Sequence, residues 1–275
     1  MVTARELVRK YDVKPDKHLG QSFLEDKNVI NKIVNIADIH DDELVVEIGA
    51  GLGLMTKILS QRARKLIALE VDPRLVSVLK GEFKNSSNIE IVHTDVLKYD
   101  FSAAFCNSPL KIVGNIPYNI SSQILLRLLD FRQYIGFAIL MFQKEVAERI
   151  MAPPGTKEYG ILSVIISMYA EVSHEMKIPA SCFYPRPKVT SSLLKMAMRE
   201  NHSVNLLDYA FFLKIVKTAF SKRRKTLINN LKSADWLKNK DVERLLKIAN
   251  IDGQRRGETL SVVEFGLLSQ IFLEG

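Results

Sequence analysis

A chain of 275 residues with 47% hydrophobic and 25% charged residues can bury a large core, which excludes a disordered protein. Its net charge of +8 favours a polyanionic partner, of which nucleic acid is the commonest. The two cysteines, Cys106 and Cys182, exclude a disulfide framework and favour a reducing, cytoplasmic compartment. The start of the chain lacks the apolar stretch of a signal peptide, and no apolar segment is long enough to span a bilayer, so we predict no membrane association.

The elements follow one another in a regular order. Residues 1–20 are polar and basic, which predicts a partly mobile arm, and a helix is predicted from about residue 26. Strands are predicted at 44–48, 66–71, 89–92, 112–113, 137–142, 172–178 and 189–198. Helices are predicted at 55–62, from residue 73 after the cap Asp72, at 124–129 after Ser121 as the cap, at 144–151 and at 160–170.

The alternation of nearly continuous apolar strands with helices favours a parallel sheet covered on both faces. We therefore predict an α/β fold with a doubly wound, Rossmann-like sheet that is mostly parallel and has a late antiparallel strand. Helical spacing alone remains after the last strand, at 211–220, 226–232, 242–249 and 261–273. The predicted parts are an arm (1–20), a sheet domain (21–200) and a small helical domain (201–275). Ligands of doubly wound sheets bind beyond the carboxyl ends of the strands.

Three glycines follow the first of the core strands. Gly49, Gly51 and Gly53 permit a tight turn and a close approach of the backbone to a ligand, although a turn without a ligand needs glycines too. Glu70 ends the next strand, where a carboxylate can accept both hydroxyls of a ribose or simply be solvated. The spacing G-x-G-x-G differs from the G-x-G-x-x-G of dinucleotide-binding proteins. We predict a nucleoside-type cofactor at this turn.

Two further acidic residues lie near the glycines. Asp95 ends the third core strand and is a candidate acceptor for an adenine amine, or it is a turn residue. Glu47 precedes the glycines and either reaches the positive end of a sulfonium cofactor or caps backbone amides. Because these residues have no basic partner for a pyrophosphate, they favour S-adenosylmethionine over a dinucleotide.

The fourth core strand runs into Asn115-Ile116-Pro117-Tyr118. Asn115 offers an amide oxygen, the bond into Pro117 constrains the backbone, and Tyr118 offers a flat ring. Such a set suits a planar base that carries an exocyclic amine. Together with the cofactor turn, it predicts methyl transfer to a nucleobase nitrogen.

These motifs resemble those of the small-subunit ribosomal RNA adenine N6,N6-dimethyltransferases. The resemblance covers nearly the whole chain and rests on segments that recur in the same order: 18–24, 47–53, 115–120, 143–146, 183–189, 220–227 and 258–261. The chain departs from the family pattern at Ser22, where Asn is frequent, and at Gly257, where Ala is usual. The macrolide-resistance methylases of large-subunit rRNA share the first half but are less similar from Phe183 onward.

The resemblance implies dimethylation of two adjacent adenosines near the 3′ end of small-subunit rRNA, with S-adenosylmethionine as the donor. It implies that the cofactor contacts Ser22, Leu24, Glu47, Gly49, Gly51, Glu70, Asp95 and Asn115. It also implies that Asn115 and the Pro117 carbonyl hold the N6 amine while Tyr118 and Phe183 sandwich the base. Phe183 as a core aromatic and Tyr118 as a packing residue are the alternatives. A role in small-subunit biogenesis follows, with rRNA in a pre-ribosomal particle as the partner of a monomeric enzyme.

A basic cluster, defined as Lys222, Arg223, Arg224 and Lys225, lies between two predicted helices, where a solvated face is the ordinary interpretation. In a basic protein with a base pocket we predict that it contacts RNA phosphates. Five basic residues of the arm form a second candidate: Arg5, Arg9, Lys10, Lys14 and Lys17. The scattered histidines predict no metal site. A dinucleotide-dependent oxidoreductase, a macrolide-resistance-type methylase and a non-catalytic nucleic-acid-binding relative remain alternatives.

Overall fold

The computed structural model describes residues 3–106, 108–199, 204 and 206–275. The strands are β1 (Phe23–Leu24), β2 (Leu44–Ile48), β3 (Lys65–Glu70), β4 (Ile89–His93), β5 (Leu110–Gly114), β6 (Ile135–Gln143), β7 (Ala170–Ile178), β8 (Phe183–Tyr184) and β9 (Ser191–Met198). The helices are α1 (Ala4–Lys10), α2 (Lys27–Ile36), α3 (Leu54–Leu59), α4 (Pro73–Glu82), α5 (Ser121–Asp130), α6 (Lys144–Met151), α7 (Ile161–Tyr169), α8 (Tyr209–Ala219), α9 (Leu227–Lys232), α10 (Val242–Ile248) and α11 (Val262–Glu274).

Seven strands form the main sheet in the order β4-β3-β2-β5-β6-β9-β7. The pairs from β4 to β6 are parallel, and β9 is antiparallel to β6. The predicted doubly wound sheet with a late antiparallel strand is thereby confirmed. The chain moves outward from β2 to β4 and then returns to the other side of β2 as β5. The direction of winding therefore reverses between β2 and β5, and a crevice opens at that point in folds of this kind.

Local chemistry explains where the helices begin. Asp26 caps α2 by accepting the amides of Asn28 and Val29, and Asp72 caps α4 ahead of Pro73 as predicted. The prediction that Ser121 caps α5 is wrong. Ser121 is already the first helical residue, and its hydroxyl donates to the Tyr118 carbonyl at 3.0 Å instead of accepting an amide.

From Thr3 onward, the described start of the chain is a packed helix and not a mobile arm. Thr3 and Glu6 form a capping box at the start of α1, and Ala4 and Leu7 are buried in a cluster with Leu75 of α4. Glu82 at the end of α4 also forms an ion pair with Lys10 at 2.6 Å. The signal that would have predicted this helix is the pair of Thr3 and Glu6 three residues apart. The many charged residues of this segment hid the signal, because α1 buries only one narrow apolar face.

Two compact units divide the chain. The first holds residues 1–147 and 172–198, and the second holds 148–171 and 199–275. The domain boundary predicted between residues 200 and 201 lies outside the described residues, and a single cut misses the insertion of 148–171 into the helical unit. That segment contains α7, which packs on α8 and α11 and buries much of its surface there. Across the described ranges, no helix is long and apolar enough to cross a bilayer.

Candidate active site

A cleft of about 230 Å³ opens where the winding of the sheet reverses. One water needs only about 10–15 Å³, so the cleft has room for an organic ligand. Its walls come from the turns after β2, β3, β4 and β5 and from the segment 18–23. Register brings the two predicted motifs together, because Ile48 at the end of β2 pairs with Gly114 at the end of β5. The residues that follow, Gly49 and Asn115, both line the cleft.

The glycine turn has the backbone that only glycine adopts readily. Gly49, Gly51 and Gly53 have φ angles of 75°, 59° and 79°. Space is as restrictive as conformation, since a Cβ on Gly49 would lie 3.0 Å from the Asn115 carbonyl oxygen. Gly49 therefore lets the turn lie directly against the backbone of Asn115, the residue that follows β5.

Glu70 links the glycine turn to the end of β3. Its Oε2 accepts the Gly51 amide at 2.8 Å, and its Oε1 accepts the amides of Val71 and Asp72, each at 2.9 Å. Burial raises the pKa of this carboxyl group, while the three amides act in the opposite direction. A carboxylate accepts about four hydrogen bonds, so the remaining capacity is at Oε2. The structure thus leaves Glu70 able to accept one ribose hydroxyl, where the sequence predicted two.

The charge of the cleft discriminates between cofactor classes. Glu70 and Asp95 line it, and among its described lining residues there is no Lys or Arg that could neutralise a pyrophosphate. Asp95 also accepts the Leu97 amide at 3.0 Å, so its turn role and its ligand role are compatible. These residues favour a cationic cofactor without phosphate over a dinucleotide.

Glu47 lies behind the glycine turn rather than in the main cleft. It lines a second, smaller cavity together with Leu24, and this cavity shares Gly49, Gly51 and Asn115 with the cleft. Its Oε2 accepts the Thr56 hydroxyl at 2.6 Å, and its buried Oε1 has no hydrogen-bond partner. Among the described residues Glu47 caps no backbone amide, so the capping alternative is wrong. The residue is 1% exposed, and its contact with a cofactor stays a prediction. Leu24 is likewise buried at 6% exposure, so a contact from it in the main cleft would have to come from its backbone.

Asn115 is oriented by the segment that precedes β1. Its Nδ2 donates to the Ser22 carbonyl at 2.7 Å, so the amide presents Oδ1 as its acceptor. The Ser22 hydroxyl donates to the Pro185 carbonyl at 2.7 Å, which ties the same segment to the chain after β8. Ser22 lines the cleft, but the hydrogen of its hydroxyl is already used. The carbonyl of Ser22 therefore determines which half of the Asn115 amide a ligand meets.

Pro117 and Tyr118 continue the wall of the cleft beyond Asn115. The Pro117 carbonyl accepts the Ile120 amide at 3.3 Å, and no second donor to it is found in the described part of the chain, so it keeps a lone pair for a ligand. Tyr118 is half-buried, and its hydroxyl is hydrogen-bonded to the hydroxyl of Ser191, the first residue of β9. Burial raises the pKa of Tyr118, so the phenol is neutral near pH 7.

Phe183 has the core role that the sequence left as its alternative. It is 2% exposed and packs in the cluster that contains Leu24, Ile178 and Leu193. The reason is β8, which pairs Phe183 with Leu24 of β1 and turns the ring inward. The predicted sandwich of a base between Tyr118 and Phe183 is not present in this form, and only Tyr118 lines the cleft.

The basic cluster lies in the helical unit, between α8 and α9, and its four residues are exposed. Arg223 is committed to the protein itself: its Nε donates to Glu258 at 3.0 Å, and its Nη2 donates to the Lys157 carbonyl. These contacts make Arg223 a structural residue of the unit. Lys222, Arg224 and Lys225 are the better candidates for a nucleic-acid contact.

Two residues that support the site, Thr56 and Ser191, were not predicted from the sequence. Thr56 holds Glu47, and its position in the first turn of the helix after the glycines was the available signal. Ser191 holds Tyr118, but the partners are 73 residues apart and only the pairing of β9 with β6 brings them together.

Comparison with known proteins agrees with this geometry. Residues 13–266 match the family model described as ribosomal RNA adenine dimethylase. The chain belongs to the ribosomal RNA adenine dimethylase family. The predicted family is confirmed, and the dimethylase uses S-adenosylmethionine as its methyl donor.

Similar proteins cover almost the full length of this dimethylase. A ribosomal RNA small subunit methyltransferase A from Syntrophus aciditrophicus is 47% identical and is matched over 98% of both chains. A protein of the same description from a Geobacillus species is 40% identical, over 96% of this chain and 94% of its own. The crystal structure of a dimethyladenosine transferase from Plasmodium falciparum has a TM-score of 0.80 and 27% identity, with coverage of 92% and 98%. The 23S rRNA methyltransferase ErmE has a TM-score of 0.69 and 26% identity, with coverage of 91% and 99%.

Proposed function

We propose that this enzyme transfers two methyl groups from S-adenosylmethionine to N6 of each of two adjacent adenosines near the 3′ end of small-subunit rRNA. The observation that carries the proposal is the orientation of Asn115, whose Nδ2 is held by the Ser22 carbonyl so that Oδ1 meets the ligand. A fixed acceptor beside an acidic, Lys- and Arg-free cleft suits an amine substrate and a cationic donor.

The chemistry begins with a poor nucleophile. The lone pair of the adenine amine is delocalised into the ring, and hydrogen bonds from both N–H groups favour a tetrahedral nitrogen with a localised pair. Asn115 Oδ1 and the Pro117 carbonyl are acceptors that can provide these bonds. S-adenosylmethionine supplies an electrophilic methyl group on sulfur. The displaced proton leaves the nitrogen after attack, so the site requires no strong base. Orientation of the two reactants can remove about 7–11 kcal/mol of the activation barrier.

Tyr118 supports the base. Stacking of a flipped base on its ring contributes roughly 1–3 kcal/mol, and the Ser191 hydrogen bond holds the ring in place. After the first transfer the nitrogen keeps one N–H, so one acceptor is sufficient to hold it for the second. The dimethylated product has no N–H and cannot donate to either acceptor, which favours its release.

The RNA outside the base pocket would be held by its phosphates. Lys222, Arg224 and Lys225 supply exposed charge in the helical unit, and accessible single-stranded or loop segments of RNA are the usual targets. We further propose a monomeric enzyme that acts in the cytoplasm on rRNA within a pre-ribosomal particle. The net charge of +8 supports a substrate of this kind.

The test is incubation with labelled S-adenosylmethionine and small subunits that lack the modification, followed by nucleoside analysis and mapping of the modified positions. We expect N6,N6-dimethyladenosine in small-subunit rRNA. Parallel reactions with naked rRNA and with large subunits identify the substrate particle. Label in large-subunit rRNA alone, or in no adenosine, would contradict the proposal.

Asn115→Ala is the matched variant, because it removes Oδ1 and leaves the backbone of the turn. We expect the rate of methyl transfer to fall at least 100-fold while circular dichroism and the melting temperature stay close to those of the wild type. Transfer by Asn115→Ala at the wild-type rate would remove the amide from the mechanism.

A further inference from the structure

Glu47 is a buried acid that the methyl-transfer steps above do not use. Its side chain is 1% exposed, and its Oε1 has no hydrogen-bond partner although its Oε2 is bonded to Thr56. Burying a carboxyl oxygen without a hydrogen-bond partner costs free energy of folding. Such an atom therefore points to a function or to a partner that binds there.

The cavity beside Glu47 is built to receive such a partner. It has a volume of about 30 Å³, enough for a water or a small charged group. Its described lining is apolar or neutral apart from Glu47 itself, and it contains no Lys, Arg or His. It shares Gly49, Gly51 and Asn115 with the cofactor cleft, so a ligand in the cleft can extend towards Glu47.

The elements packed against Glu47 carry Lys57, Lys65 and Lys111, but none of these side chains lines the described part of the cavity. It pairs with Ala68 of β3 and Val113 of β5, and it contacts Thr56 of α3. The charged group whose field reaches it is Glu70, and this field is repulsive. Any cation that neutralises Glu47 has therefore to arrive with a ligand.

We infer that Glu47 is a neutral acid in the empty enzyme and that it loses its proton when a cationic group of the cofactor occupies the adjacent cavity. Cofactor binding would then release a proton to solvent, and Glu47 would act as a charge-selective residue of the site. The inference rests on the proposed function and adds the electrostatic role of one residue.

The burial that leaves Oε1 without a partner also shifts the pKa of Glu47 in the direction that the inference requires. Burial raises the pKa of Glu47 to about 8, with a smaller increase from Glu70, and the Thr56 hydroxyl acts in the opposite direction. At pH 7 the free acid is therefore the main form, and a cation beside Oε1 lowers the pKa below neutrality. Affinity should rise with pH by up to about tenfold per unit below pH 8 and level off above it.

Two cationic groups of S-adenosylmethionine share the required chemistry, the sulfonium and the α-ammonium. S-adenosylhomocysteine carries the ammonium alone, 5′-dimethylsulfonio-5′-deoxyadenosine carries the sulfonium alone, and 5′-methylthioadenosine carries neither. A comparison of the four ligands therefore identifies which group, if either, Glu47 recognises.

The experiment is isothermal titration calorimetry of the full chain at pH 7 in buffers of different ionisation enthalpy, repeated between pH 6 and pH 9. We expect release of close to one proton with S-adenosylmethionine and none with 5′-methylthioadenosine. Glu47→Gln keeps an acceptor for Thr56 and stays neutral. We expect this variant to bind within about twofold of the wild type at pH 6, to bind on the order of 100-fold more weakly at pH 8.5, and to release no proton.

The outcomes distinguish a failure of the proposed function from a failure of the role inferred for Glu47. If S-adenosylmethionine does not bind the wild type, the proposed function fails. If it binds without proton release, or if Glu47→Gln releases the same number of protons, the cavity holds only water and the inference is overturned. Should the variant fold poorly, the comparison of the four ligands on the wild type still decides.

Discussion

Tyr118 is attached at both ends. Its carbonyl accepts the Ser121 hydroxyl, and its phenol is bonded to Ser191, which is fully buried at the start of β9. Tyr118, which lines the cleft, is thus fixed to the sheet and does not depend on the loop alone. Preorganisation of this kind reduces the entropy that a bound base would otherwise have to remove.

Removing the phenol bond while keeping the ring tests this attachment. We expect Tyr118→Phe and Ser191→Ala each to lower the single-turnover rate of methylation by roughly 2- to 12-fold, which corresponds to a net hydrogen bond of about 0.5–1.5 kcal/mol. The double variant should methylate no more slowly than the slower of the two single variants, since each substitution removes the same hydrogen bond. Independent, multiplying losses would show that the hydroxyls act separately.

Glu47 should also affect the stability of the ligand-free protein. Its folded pKa of about 8 lies above the ordinary carboxyl value of 4.5, so the proton favours the folded state. The contribution is complete below the unfolded pKa and is lost as the pH rises through about 8. We therefore expect the melting temperature of Glu47→Gln, relative to the wild type, to rise between pH 5 and pH 9. A constant difference across that range would mean that Glu47 is ionised throughout.

At the scale of elements, two glycines give opposite predictions for the same substitution. A Cβ on Gly257 would lie 2.5 Å from the Ala219 carbonyl oxygen at the end of α8, so Gly257→Ala must displace backbone. Gly81 is inside α4 and has open space around it.

We expect Gly257→Ala to destabilise the protein by about 1–3 kcal/mol and Gly81→Ala to stabilise it by roughly 0.5–1 kcal/mol. Chemical denaturation of the three proteins measures both effects. A neutral effect of Gly257→Ala would show that the end of α8 can shift to make room.

The core strands and most helices could be predicted because their signals are local. Apolar runs set β2 to β6, and Asp26 and Asp72 mark the starts of α2 and α4. The pair of β1 with β8 gave no such signal, since each strand has two residues and the partners are some 160 positions apart. The inward orientation of Phe183 follows from that pairing and was out of reach of local patterns.

The same limit applies to the site as a whole. The glycine turn, Glu70, Asp95 and Asn115 could be placed together, because parallel strands end at one edge of the sheet. Their remaining hydrogen-bonding capacity could not be predicted. Glu70 is largely occupied by backbone amides, Asn115 is oriented by Ser22, and both facts depend on the folded backbone.

At the scale of the molecule, charge in the helical unit should separate binding from folding. We expect Arg224→Glu and Lys225→Glu to weaken RNA binding, to flatten its dependence on salt and to leave the affinity for S-adenosylmethionine unchanged. Filter binding at several salt concentrations measures the slope.

Arg223→Ala is the contrasting variant, since this side chain bonds to Glu258 and the Lys157 carbonyl. We expect it to lower the free energy of unfolding by up to about 1 kcal/mol, as exposed ion pairs do. A loss of RNA affinity through Arg223→Ala without loss of stability would return this residue to the RNA contact.

The wall of the cleft formed by residues 18–23 has no regular secondary structure outside β1, yet it is fastened to the rest of the unit. Gln21 donates to Asp72 at 2.9 Å and accepts the Asp16 amide at 2.7 Å, while Arg74 donates to the Lys14 carbonyl at 3.4 Å. A ligand that contacts this wall should therefore slow its local unfolding. Limited trypsin digestion after Lys17 would report the occupancy of the cleft: the peptide bond between Lys17 and His18 should be cut more slowly as S-adenosylmethionine is added.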